Sequence, residues 1–171
     1  MSQNEEILPI VNVSGHVIGK ASRSECHSGS MLLHPVVHLH VFNRNGDLLL
    51  QKRSLSKKIQ PGKWDTAVGG HVDWGEDVHS ALVREAREEI GLKVVEPKPL
   101  FVYEFTSPIE HELINGYTVT VSDDFVPQAE EHEIDDLRFW SIDDISAAIG
   151  KDILTPNFET EFLRLRRVLK I

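Results

Sequence analysis

The residues in this 171-residue chain whose types and spacing best suit chemistry are three glutamates in one short stretch, Glu85, Glu88 and Glu89. Their i, i+3 and i+4 relation puts them on one face of a helix, with Cβ atoms about 5–6 Å apart. Like charges so placed repel by roughly 0.2–0.5 kcal/mol per pair. Glu88 and Glu89 would also occupy the last helical turn, where the dipole disfavours anions by about 0.3–1 kcal/mol. A solvated acidic face tolerates that cost, whereas a divalent cation removes it. Hard cations prefer carboxylate oxygens and keep several waters, so clustered glutamates can hold ions that bridge protein and substrate phosphates. Such an ion neutralises phosphate charge and lowers the pKa of a water beside it, preparing that water to attack phosphorus.

The glutamates need a helix and a loop to place them. Asp77 to Ile90 favours helix, and Gly91 stands where a left-handed residue ends one. Upstream runs Gly70-His71-Val72-Asp73-Trp74-Gly75-Glu76. The full spacing is Gly70, five residues, Glu76, seven residues, Arg84-Glu85, then Ala86, Arg87, Glu88-Glu89, Ile90, Gly91 and Leu92. At every specified position this resembles the Nudix box, Gly-x5-Glu-x7-Arg-Glu-U-x-Glu-Glu-x-Gly-U with U aliphatic or small. The resemblance implies a loop–helix–loop presenting magnesium or manganese ligands to a pyrophosphate. By that pattern Glu85, Glu88 and Glu89 are expected as catalytic metal ligands, one of them a possible base. Gly70 and Gly75 are expected to shape the loop and leave backbone close to metal or phosphate. Glu76 and Arg84 are expected to position loop and helix through ionic hydrogen bonds, and Gly91 to close the helix. Glu133 matches a glutamate that many members place near the metals as general base, with Glu130 and Glu131 as rivals.

Outside the box, from about Val11 to Trp140, the chain resembles one Nudix branch, the type I isopentenyl-diphosphate isomerases. His27, His34 and His71, with Glu110 and Glu112, fall where those enzymes place a three-histidine, two-glutamate metal site. Imidazole plus carboxylate suits manganese, zinc or magnesium, so a second site for manganese or zinc is expected. Arg23, Arg53 and Lys57 match positions that hold the diphosphate, and guanidinium forks suit phosphate oxygens. Tyr103 and Glu112 match other catalytic positions. The isomerase thiol, two residues before the third metal histidine, is replaced by Gly69, which has no proton to give. The isomerases have a degraded Nudix box and this chain a complete one. Both departures point to hydrolysis of a nucleoside or other small organic diphosphate on an isomerase-like scaffold. An isomerase and a non-catalytic nucleotide-binding module remain as alternatives. Substrate choice is expected from loops around Trp74, Tyr103, Tyr117 and residues 128–133.

Elsewhere, residues 9–19 read as a hairpin around Ser14-Gly15. Pro35 to Phe42 and Leu48 to Arg53 read as a second hairpin around Asn45-Gly46. A short strand is expected over Trp64 to Val68, broken by Gly69-Gly70. Further strands are expected at Leu100 to Phe105, Gly116 to Val121 and Leu137 to Trp140, a capped helix from Ser141 to Ile149, and a last helix over Asn157 to Leu169. Strands and helices interleave irregularly, so the class is α/β with a mixed sheet. The resemblance makes it one Nudix domain, residues 1–171 with the box at 70–92, built as an α/β/α sandwich with an N-terminal β-hairpin extension.

A chain 40% hydrophobic and 26% charged can build one core. Its formal charge of −9 argues against nucleic acid or an anionic membrane as partner. The start, Met1-Ser2-Gln3-Asn4-Glu5-Glu6, has no basic region or apolar core, and no stretch approaches the ~20 apolar residues of a membrane helix. A single cysteine, Cys26, precludes an intrachain disulfide and suits a reducing compartment. A cytoplasmic enzyme with a small-molecule partner is expected, and the family resemblance suggests a homodimer.

Overall fold

A computed structural model describes residues 4–171. Nine strands and four helices follow in the order β1 (Ile7–Val11), β2 (Val17–Ser22), α1 (Arg23–Cys26), β3 (Leu33–Phe42), β4 (Leu48–Arg53), β5 (Trp64–Thr66), β6 (Val68–His71), α2 (Val78–Ile90), β7 (Lys98–Thr106), β8 (His111–Thr120), β9 (Ile134–Trp140), α3 (Ile142–Ala148) and α4 (Pro156–Leu169). β1 and β2 form a separate antiparallel hairpin, while the other seven strands form one mixed sheet. Strand β3 is its spine, lying parallel to β8 from Leu33↔His111 to Phe42↔Thr120 and antiparallel to β6 from Val36↔His71 to Leu39↔Val68.

Alternation along the strands divides the core into two layers. Val37, Leu39, Val41 and Leu49 face α2, where Ala81, Leu82, Ala86 and Ile90 recur at helical spacing. Leu48, Leu50 and Trp64 face α3 and α4, meeting Ile145, Leu154, Phe158, Phe162 and Leu165. Each large side chain wholly removed from water contributes about 1.5–3 kcal/mol, which is what holds the helices to opposite faces. The α/β/α sandwich is therefore present, with its mixed sheet and its N-terminal hairpin.

The helix boundaries follow local chemistry. Asp77 accepts from the Ser80 N–H at 2.7 Å to start α2, and Gly91 ends it at φ 68°, in the left-handed region glycine tolerates best. Ser141 and Thr155 cap α3 and α4 in the same way, with Pro156 in the first turn of α4.

Two expectations need correction. The turn at 43–47 does not make a ladder between β3 and β4, which pair only at Phe42↔Leu48. Beyond that point they diverge: β3 joins β6 and β8, while β4 joins β5 and β9. Nor do Gly69 and Gly70 break a strand. The break falls at Ala67, where the chain crosses from β4's partner β5 to β3's partner β6, and both glycines are paired residues of β6. Glycine serves there because the neighbouring groups approach the backbone closely.

The hairpin is anchored by two small clusters, Leu8 with Ile10, Ala21 and Cys26, and Val11 with Leu33 and Leu113. Cys26 is wholly buried, and burial together with Glu25 raises its thiol pKa, so it is a packing residue. Among the described residues no helix is long and apolar enough to cross a membrane.

Candidate active site

Arg84 organises the loop and helix of the box. Its Nε and Nη2 donate to the two oxygens of Glu76, both at 2.9 Å, and Nη1 donates to Glu85 at 2.9 Å. Nη2 also reaches the His71 carbonyl at 3.1 Å, tying the helix to the end of β6. Glu76 in turn accepts from the Asp73 N–H at 3.1 Å. These charge-assisted bonds lower the Glu76 pKa and raise that of Arg84, and they tie the loop to the helix.

The three helix glutamates do not behave alike. Glu85 packs over Gly70, so closely that a Cβ there would overlap its carboxylate. Glu89 lies at the free edge of β6, accepting from the Gly69 N–H at 3.2 Å and the Gln51 amide at 3.3 Å. Burial pushes the Glu89 carboxyl up to about 8, with Glu85 adding to the shift and the two hydrogen bonds opposing it. Burial also raises Glu85, although Arg84 opposes. Glu88 points outward with 59% of its side chain exposed and reaches Arg84 at 3.4 Å. Two glutamates thus converge on β6 and the third stands at the rim. A pair of buried carboxyls driven toward their neutral forms is the donor set a hard divalent cation would relieve.

On the other face of β6 lies a second cluster. Donor atoms of His27, His34, His71 and Glu112 all fall within 4.8 Å of one another. His27 Nε2 is 3.1 Å from His71 Nε2, and Glu110 joins through His27 at 3.6 Å. His34 Nδ1 donates to the Leu32 carbonyl at 2.9 Å, which leaves its Nε2 as a lone pair. That nitrogen is buried and has no hydrogen-bond partner among the described residues. Burial lowers His71 to about 3, helped by Arg23, His34 and His27, so its ring is neutral. Burial lifts Glu112 to about 7, with Glu110 adding to it. Neutral imidazoles beside a carboxylate, with the His34 ring oriented by the Leu32 carbonyl so that its Nε2 lone pair faces the cluster, fit a divalent cation.

The basic residues are held by their own partners. Arg23, at the start of α1, pairs with Glu6 at 2.9 Å, and Arg53 donates to the Ile59 carbonyl at 3.1 Å and lies 3.5 Å from Asp65. Lys57 pairs with Glu133. Burial lowers the Lys57 pKa and nearby Arg53 adds to that, while Glu89 opposes, so lysine, arginine and helix carboxylate share one neighbourhood. Glu133 is 58% exposed and held by Lys57 rather than turned to Glu85 or Glu89. Its loop is nonetheless fastened to the end of α2, where the Gln128 and Glu130 N–H groups donate to the Ile90 and Glu89 carbonyls.

One constellation escaped the sequence reading. Glu161 of α4, 2% exposed, accepts from His38 Nδ1 at 2.8 Å, His40 Nε2 at 2.7 Å and the Tyr103 hydroxyl at 2.5 Å. Its signal was present. Phe158, Glu161, Phe162 and Leu165 recur at i, i+3, i+4 and i+7, so a carboxylate sits on an apolar helix face, and His38 and His40 alternate with His34 along β3.

A NUDIX domain model matches residues 32–159. An isopentenyl-diphosphate Delta-isomerase from Leifsonia xyli is 30% identical over 164 residues, covering 91% of this chain and 86% of the relative. Among solved structures, the protein DR0079 of Deinococcus radiodurans superposes with a TM-score of 0.77 at 25% identity, covering 95% of this chain and 99% of its own. A MutT protein of Methanosarcina mazei shares the fold, with a TM-score of 0.68 at 24% identity over 81% of this chain and 96% of its own. The chain belongs to the Nudix family, in the branch that contains the type I isopentenyl-diphosphate isomerases.

Proposed function

We propose that the protein is a divalent-metal-dependent pyrophosphohydrolase acting on a small organic or nucleoside diphosphate. The observation that carries this reading is the pairing of a complete Arg84–Glu76 box, which holds Glu85 and Glu89 against β6, with glycine at the position of the isomerase thiol. Glu85, Glu88 and Glu89 would hold magnesium or manganese. When bound, the ion supplies Lewis acidity, neutralising phosphate charge and acidifying a water. The three histidines with Glu112 and Glu110 would hold a second ion, manganese or zinc.

The remaining work belongs to side chains. Lys57, Arg53 and Arg23 receive the phosphates, and Gly70 leaves the backbone open beside Glu85. A phosphate that takes Lys57 breaks its pair with Glu133, freeing that carboxylate to accept a proton from the attacking water. Arg84 keeps Glu85 fixed throughout.

The test is a panel of nucleoside diphosphates, nucleoside triphosphates, nucleotide sugars and prenyl diphosphates incubated with magnesium or manganese, with products read by mass spectrometry. Cleavage of at least one compound, lost in Glu89→Gln, is expected. Isomerisation is the second reading, favoured by the intact histidine–glutamate cluster and the isomerase relatives. Isopentenyl diphosphate incubated in deuterium oxide separates the two: allylic deuterium without phosphate release would establish the isomerase.

A further inference from the structure

Holding Glu161 as a buried anion takes three donors from two strands, since a carboxylate out of water needs its lone pairs satisfied. The Arg164 guanidinium, 4.0 Å from the Tyr103 ring centroid, backs the arrangement. Burial would push Glu161 up, but the charge and hydrogen bond of His38, joined by His40, hold it well below the usual carboxylate range.

The two histidines are used differently. His40 is 1% exposed and its other nitrogen is buried without a partner among the described residues, whereas 19% of the His38 side chain is open. His38 faces Gly69 across the β3–β6 register, and a Cβ added at Gly69 would stand 3.5 Å from His38 Nε2. The glycine therefore exposes the far edge of the imidazole beside the backbone N–H that Glu89 holds. His38 Nδ1 spends its proton on Glu161, so Nε2 carries hydrogen only in the imidazolium form.

We propose that His38 is a substrate-binding residue: its imidazolium, aimed by Glu161, donates Nε2–H to a phosphate oxygen of the bound diphosphate through the opening left by Gly69. The class of ligand rests on the pyrophosphohydrolase reading; the cation and its aim rest on the geometry. The charged and titratable groups around the ring are Glu161 from α4, Asp65 from β5, Glu112 from β8, Tyr103 from β7 and Glu89 from α2. Burial is the largest influence and lowers His38, but the charge and hydrogen bond of Glu161, with Glu112 and Asp65 adding, together outweigh it and hold the ring at about 9. A phosphate group whose second ionisation lies near 6 does not take a proton from such an acid. His38 accordingly neutralises charge without proton transfer, and no bond forms or breaks at the ring.

The experiment is histidine-selective ¹⁵N NMR on the full chain, with methylenediphosphonate and magnesium as an uncleavable probe. Expected are a His38 ring that stays cationic from pH 6 to 8 and an Nε2 resonance that moves on titration. His38→Gln and Glu161→Gln should each weaken the probe about tenfold, as loss of a charge-assisted hydrogen bond would. Should His38→Gln fail to fold, the wild-type titration and Glu161→Gln still decide. A neutral His38, no binding of the probe, or binding that moves the Gly69 and Gly70 amides while His38 stays still each overturns the proposal, and the last leaves the hydrolase reading intact. A His38 response combined with no cleavage of any compound in the panel overturns the hydrolase reading and leaves this site standing.

Discussion

Replacing Glu89 with glutamine should make the metal-free protein more stable. The native carboxyl titrates at about 8 instead of 4.5, because burial and the neighbouring Glu85 oppose its charge. An acid whose folded pKa is raised keeps a proton that the unfolded chain has released, so stability falls as pH rises from 4.5 to about 8. At pH 7 the penalty, 1.36 kcal/mol for each pH unit above 4.5, is about 3 kcal/mol. Glutamine has no charge to suppress and can still accept from the Gly69 N–H. For a chain of this size the gain corresponds to roughly 6–12 °C in unfolding temperature. The assay is thermal unfolding in chelator from pH 4.5 to 9, repeated with millimolar magnesium. Without metal, the difference between variant and wild type should be small near pH 4.5 and widen steadily to pH 8. With magnesium the wild type should recover stability and the variant should not. A variant that melts below the wild type at pH 8 in chelator, or a difference that does not change with pH, refutes the reasoning.

Gly70→Ala places a methyl on the Glu85 carboxylate and should cut turnover by about 10²-fold, with the circular-dichroism spectrum unchanged. Arg84→Lys cannot reproduce the fork to Glu76 while holding Glu85, and should lower magnesium affinity about 10–100-fold by calorimetry. His34→Ala removes the buried lone pair, so bound manganese or zinc, counted by elemental analysis after dialysis, should drop by one equivalent while magnesium uptake at the helix is retained. Uptake at the histidine–glutamate cluster should release protons near pH 6, because burial holds Glu112 at about 7; calorimetry in buffers of different ionisation enthalpy counts them.

Helix α2 and its box were legible because each specified residue has a local duty: Asp77 caps, Gly91 turns left-handed, and Arg84 reaches back to Glu76 across a single loop. The last helix followed from periodicity in the same way, since Phe158, Phe162 and Leu165 announce a buried face, whereas the α/β/α sandwich came from the resemblance. What failed depended on pairing at a distance. The divergence of β3 from β4 cannot be read from the turn between them, because β6 and β9 compete for their edges and belong to residues much later in the chain. Gly69 and Gly70 read as a break because only Glu89 and Glu85, brought up by α2, give a side-chain-free strand a purpose. Glu161 lies 123 residues from His38, so no spacing rule connects them. Helical spacing alone does not distinguish the three glutamates: packing against β6 encloses Glu85 and Glu89, while Glu88 stands at the rim, 59% exposed.

The amino-terminal β1–β2 ribbon lies wholly before residue 32, where the family match begins. It holds itself together through its own ladder, and α1 leaves it under the Ser22 cap, carrying Arg23 at one end and His27 just past the other. One imidazole and one guanidinium thus reach the site on a single N-terminal piece, which Val11 docks on Leu33 of β3 and Leu113 of β8 and which the Ile7 carbonyl fastens to the Trp74 N–H of the box loop. Losing this piece would remove both groups together and bare Leu33 and Leu113, so the three-imidazole pocket and the apolar seat beneath the hairpin stand or fall in one deletion.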